Sequence, residues 1–259
     1  MYTDPIAKAY HRMLTESMLK NENDESHDRI KSVDSSHNML HDILATPNPR
    51  TQAFKHTVLN RHDIGEKHID AALNSDSNDS HTRFLAARHK NASSDNIHKA
   101  INDENDGVSM EAASHPNATA EHMKTASESK HVLARRIAAK SEKTSPEVLH
   151  KLSTDSDSSV RGNILFNKNA TSDHITKVLG QDHGIYHDTA HIAAVEHPNA
   201  TSDHVKMALS TNGYHVHLAA VKSHAATKEQ LSDVANNHRM VMVRKEASDQ
   251  LKSRFPEKE

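Results

Sequence analysis

The chain has 259 residues, of which 34% are hydrophobic and 26% charged, with a formal net charge of −3, no Trp and no Cys. So few large apolar side chains exclude a single thick core, and the weak mean field excludes a uniformly basic nucleic-acid surface. The lack of Cys excludes disulfides, thiolate nucleophiles, iron–sulfur clusters and Cys-based zinc sites, and no apolar run approaches the roughly 20 residues that span a bilayer.

Residues 1–19 predict an amphipathic helix. Ile6, Tyr10, Met13 and Leu14 share one helical face, Asp4 is placed as a cap and Pro5 occupies the first helical position. This helix is the expected docking element of the N-terminus. The polar stretch over 20–35 reads as a flexible linker. The start of the chain also lacks the basic residues and apolar stretch of a secretory signal, so the expectation is a cytoplasmic protein without membrane association.

From residue 36 to residue 253 one unit recurs. HPNATSDHVKMAL from His197 has a near copy, NKNATSDHITKVL, thirty residues earlier from Asn167. Aligned on the Ser or Thr of this phrase, the anchors are Ser36, Gly65, Ser93, Thr119, Ser145, Thr171, Thr201 and Thr227, at intervals of 26 to 30 residues, mostly 26. Four positions on stand Leu40, Ile69, Ile97, Met123, Leu149, Ile175, Val205 and Leu231, and seven on stand Ile43, Ala72, Ala100, Ala126, Leu152, Val178, Ala208 and Val234. That is the buried stripe of a helix. The anchor hydroxyl can accept from the free N–H groups of the first turn, and an acid two residues later suits the positive end of the helix dipole.

A second apolar cluster precedes each anchor, as in Ala86/Ala87, Ala138/Ala139 and Ala220/Val221, and turn-formers such as NDENDG and STDSDSS separate the two stretches. Each unit therefore predicts a helix pair that cannot bury its faces alone. The predicted fold is all-α, a right-handed α-solenoid of about eight short helix pairs over 36–253, with a tail over 254–259.

The pattern is seen best in DSSVRGNILFNKNATSDHI from Asp157. It resembles the leucine-rich repeat variant, an all-helical relative of HEAT repeats, with a somewhat longer period and a heavier histidine load than that family. The resemblance implies a binding scaffold and brings no catalytic residue. More weakly, MYTDPIAKAYHRMLTES resembles the N-termini of internal head proteins of large tailed phages. The Leu14-Thr15-Glu16 tripeptide matches their maturation cleavage site, and this implies a virion-associated protein.

Nine of the 24 histidines fall in columns. Two flank the anchor, at His89, His115 and His197 and at His68, His122, His174 and His204. Their expected role is structural, closing one helix and covering the first turn of the next. A shared metal is not expected, because equivalent residues of packed helices lie about 10 Å apart while zinc needs each nitrogen within about 2.1 Å. His187 and His191 could supply two ligands at most, and no HExxH occurs.

A third column runs through Arg83, Arg135, Arg161, His191 and His217. Two readings stand side by side. It is a basic ladder presented to an acidic partner, or each Arg pairs with a turn Asp of its own unit, such as Asp157 beside Arg161. No GxSxG, Gly-rich phosphate loop or paired-carboxylate motif marks an enzyme, and no cofactor is expected.

The expected function is a non-catalytic scaffold presenting a His/Arg-striped face to a macromolecular partner, most simply a protein. The alternative is a DNA-binding or DNA-acting HEAT-like protein gripping phosphates through the basic column. Protonating the 24 histidines would reverse the sign of the net charge, so a loss of stability in mild acid is also expected.

Overall fold

The computed structural model describes residues 40–45, 52–76, 79–181 and 187–256, and every regular element among them is helical. A helical segment over 40–45 is followed by α1 (Gln52–Leu59), α2 (Glu66–Leu73), α3 (Ser80–Ala87), α4 (Ser94–Ile101) and α5 (Asp106–Ala113). Next come α6 (Ala120–Ser127), α7 (Val132–Lys140), α8 (Pro146–Leu152), α9 (Ser158–Ile164) and α10 (Ser172–Leu179). The last are α11 (His187–Glu196), α12 (Ser202–Leu209), α13 (Tyr214–Lys222), α14 (Lys228–Asn237) and α15 (Val241–Arg254). The docking helix expected over 1–19, with Ile6, Tyr10, Met13 and Leu14, and the linker over 20–35 lie outside the described residues.

Even-numbered helices start at the anchors. Gly65, Ser93, Thr119, Ser145, Thr171, Thr201 and Thr227 are all N-caps with extended backbone. The Ser93 hydroxyl accepts from the Asn96 N–H (3.2 Å) and that of Thr227 from the Gln230 N–H (3.2 Å). Glu147 and Glu229, exposed in their first turns, are held below the usual carboxylate range, first by their own backbone N–H and then by the anchor hydroxyl. Several odd-numbered helices are capped by a turn residue instead. Asp79 accepts from the Thr82 N–H, Asn105 from those of Gly107 and Val108, and Asp157 from those of Ser159 and Val160.

Both aliphatic stripes of the even helices are buried along their described length, as are the apolar pairs that end α1, α3, α5, α7, α9, α11 and α13. Ala86, Ala112, Ala138 and Ala220 present almost no side chain, so neighbouring helices approach closely over them. The described residues form two compact units, divided between Ala118 and Thr119. In the first unit α1 packs on α3, α3 on α5 and α2 on α4. In the second α7 packs on α9, α11 on α13, α13 on α15 and α6 on α8. No packing of that closeness joins α9 to α11. The connection between α10 and α11, residues 180–186, falls in the longest anchor interval, the 30 residues from Thr171 to Thr201.

Candidate functional site

The histidine four residues before the anchor is buried and makes the same pair of bonds each time it occurs. At His197 the Asn199 N–H donates to Nδ1 (3.0 Å), so the ring proton sits on Nε2, which donates to the Asn167 carbonyl of the preceding repeat (2.9 Å). His115 repeats this with the Asn117 N–H and the His89 carbonyl, and His89 with the Asn91 N–H and the Arg61 carbonyl. Asn167 fills the slot with the same logic. Its Oδ1 accepts from the Asn169 N–H, while its Nδ2 donates to the Ala139 and Ser141 carbonyls. At Ser223 a hydroxyl suffices, donating to the Val195 carbonyl (2.6 Å) and accepting from the Ala225 N–H. The bonds run backward to the preceding repeat and not, as expected, to the last carbonyls of the histidine's own helix.

The Asn of the His-x-Asn-Ala phrase, given no role by the sequence reading, makes a parallel set of links. Asn91 donates to the His62 and Ile64 carbonyls, Asn169 to that of Glu142 and Asn199 to that of Ala170. Its recurrence two residues before the anchor was the available signal.

The histidine three residues after the anchor completes a capping box. The backbone N–H of Thr119, Thr171 and Thr201 donates to Nδ1 of His122, His174 and His204, at 2.9, 3.1 and 2.9 Å. Gln230 does the same through Oε1 (3.0 Å), and its Nε2 donates to the Ser202 carbonyl of the preceding repeat (2.8 Å). His174 and His204 are driven below the ordinary imidazole value, chiefly by burial.

The basic column is placed inside. Arg83, Arg161, His191 and His217 are buried and Arg135 nearly so. Arg83 Nε donates to Asp103 (2.7 Å) and Arg135 Nε to Asp155 (2.8 Å), in each case the Asp of the following turn, while Arg83 Nη1 donates to the Asp76 carbonyl of its own unit (2.6 Å). Arg161 donates to the Asp155 and Ser156 carbonyls, and Asp157 is occupied in capping α9. Asp103 and Asp155 are pre-set by the Asn105 and Asp157 N–H groups. In the last repeat two imidazoles replace the ion pair. The Met240 N–H donates to His238 Nδ1, His238 Nε2 donates to His217 Nδ1 (2.9 Å), and His217 Nε2 donates to the Thr211 carbonyl. His191 holds its Nδ1 against the His187 carbonyl (3.0 Å). These five groups all meet protein atoms.

The second unit also holds a groove built from other residues. Between α9 and α11 a groove of about 200 Å³ is lined by Gly162, Leu165 and Phe166, by Ala190 and Ala193 of α11, and by Arg136 of α7. In the register that aligns Arg83, Ser109, Arg135, Arg161, His191 and His217, the next position is Phe84, Met110, Arg136, Gly162, Ile192 and Leu218. Gly162 therefore stands where the other repeats carry a large side chain, and a Cβ built on it would meet nothing within 4 Å. Phe166 stands in a register otherwise filled by Arg88, Ser114, Lys140, Glu196 and Lys222, and is 56% exposed. Neither residue is singled out by the repeat pattern, although each breaks its column.

Among the described residues no group of three or more His, Asp or Glu side chains is placed to hold a metal ion, and no helix is long and apolar enough to cross a membrane. No family model, curated protein or solved structure matches the chain.

Proposed function

We propose that residues 36–253 build a right-handed α-solenoid of about eight helix pairs, and that it serves as a binding scaffold for a macromolecular partner, without chemistry of its own. The observation that carries this reading is the repeated backward bond. His89, His115, Asn167 and His197 each donate to a carbonyl of the preceding repeat while accepting a backbone N–H of their own. Each pair is thus completed by its neighbour, which is the arrangement of a quasi-one-dimensional array.

The histidine and arginine columns serve that array from within, and contact with a partner falls to the outer residues of the helices. Small-angle scattering tests the architecture. A compact chain of this length has a radius of gyration of about 18 Å, whereas eight pairs at about 10 Å each extend to roughly 80 Å, which corresponds to a radius of gyration of about 25 Å. A value near 18 Å would rule out the array. A pull-down from the native host with the full chain tests the scaffold, and co-purification of one defined protein is the expected result. Duplex DNA binding that weakens steeply with salt would point to a nucleic-acid partner instead.

A further inference from the structure

We infer that the groove between α9 and α11 receives one bulky aliphatic side chain of a partner peptide, with an acidic residue of that peptide set against Arg136. The inference rests on the scaffold reading and specifies its contact.

Three observations converge on the groove. Its floor is apolar, with Ser158, Ser159, Asn163 and Thr189 at its edges, because Gly162 removes the side chain that its counterparts supply, Ala190 and Ala193 add little bulk, and Phe166 stands exposed beside them. A volume of about 200 Å³ is below that of sites for drug-sized ligands and cofactors and suits one or two side chains. Its charge has one sign. Arg136 lines the groove, Lys140 follows one turn along α7, and both are exposed. The other charged groups nearby are already engaged. Arg135 is paired with Asp155, Asp157 caps α9, and Asp188, which does not line the groove, lies 3.5 Å from His187 Nδ1. An apolar anchor flanked by a carboxylate satisfies both features of the groove. A basic flank would face Arg136 and Lys140 unpaired.

Selection of short random peptides against the full chain tests this. The expected consensus pairs Leu, Ile or Met with Asp or Glu at a fixed spacing. Gly162→Met fills the groove with the residue that α5 already carries in this register, and should weaken the selected peptides by about tenfold or more. Arg136→Glu should shift the preference from an acidic to a basic flank, a change that damage to the fold would not produce. Peptides that bind the wild-type chain and Gly162→Met equally would overturn the groove while leaving the scaffold standing. Failure to enrich any sequence would also overturn it. Self-association of the wild-type chain that Gly162→Met abolishes would assign the groove to a second copy, and competition by a synthetic peptide of residues 1–19 would assign it to the chain's own N-terminus. The inference fails in both cases.

Discussion

His197, Asn167 and Ser223 differ in size, acidity and shape, yet each joins a backbone N–H two residues ahead to a carbonyl of the preceding repeat. The position therefore requires a short side chain that accepts on one atom and donates on another or the same one, and imidazole chemistry is not itself the requirement. His197→Asn should accordingly keep stability within about 0.5 kcal/mol. His197→Ala should cost about 1–3 kcal/mol, because it takes the acceptor from the Asn199 N–H and one of two donors from the Asn167 carbonyl, which keeps the Ala170 N–H. Thermal melts of the two variants check this, and equal losses would refute the acceptor–donor account. Gly162 gives the opposite kind of prediction. It lies inside a helix with open space around its missing Cβ, so Gly162→Ala should stabilise the chain by about 0.5–1 kcal/mol through reduced unfolded-state freedom, read as a higher melting temperature.

At the scale of the helix, the starts were legible because capping is local. An anchor hydroxyl, an acid two residues on and an aliphatic four residues on describe one turn and a half, and all of them lie within the reach of the sequence pattern. What each column bonds to was not legible. Periodicity shows that Arg83 and Arg135 are equivalent, but a bond to an Asp 20 residues ahead depends on how one helix packs on the next. Long basic side chains are ordinarily exposed, so the column was weighed as a surface ladder, whereas the structure buries it beneath the following turn. A consequence follows for the energetics. Arg83 and Asp103 are 4% and 9% exposed, so removing Asp103 leaves the buried Arg83 facing the more distant and largely exposed Glu104 carboxylate (3.4 Å) and the Asp76 carbonyl. Asp103→Ala should cost roughly 3 kcal/mol. The double replacement Arg83→Met with Asp103→Leu should cost less than Asp103→Ala alone, since it removes both desolvated charges. A double-mutant cycle by calorimetry measures the difference, and simple additivity would show that the ion pair is not coupled.

At the scale of the whole molecule, four buried or half-buried histidines set where acid should act. His56, His174, His204 and His238 all lie below the ordinary imidazole value of 6.5, with burial the largest cause in each case. Like charges add to it, from His150 and Lys177 at His174, from His197 at His204, and from His217, Arg239 and Arg244 at His238. Asp173 and Asp203 act against the shift but do not reverse it. A group whose folded pKa is depressed binds more protons when unfolded, so its contribution is fully present above 6.5 and is lost as pH falls from there through the folded value. Protonation at Nδ1 of His174, His204 or His238 would also set a proton against the backbone N–H that now donates to it. Asp79 and Asp157 are held below the usual carboxylate value, so their losses belong to a lower window, beneath about pH 4. The melting temperature should therefore be level between about pH 7 and 8 and fall by several degrees between about pH 6.5 and 5. The repeats themselves supply the control. Gln230 already fills the His204 slot with both bonds intact, and Arg135 with Asp155 already does in an earlier repeat what His217 with His238 does in the last. A chain carrying His174→Gln, His204→Gln, His217→Arg and His238→Asp should melt close to the wild type at pH 7.5 and lose much less by pH 5, with His56 leaving a residual slope. An undiminished loss in that variant would place the acid sensitivity outside the repeat interfaces.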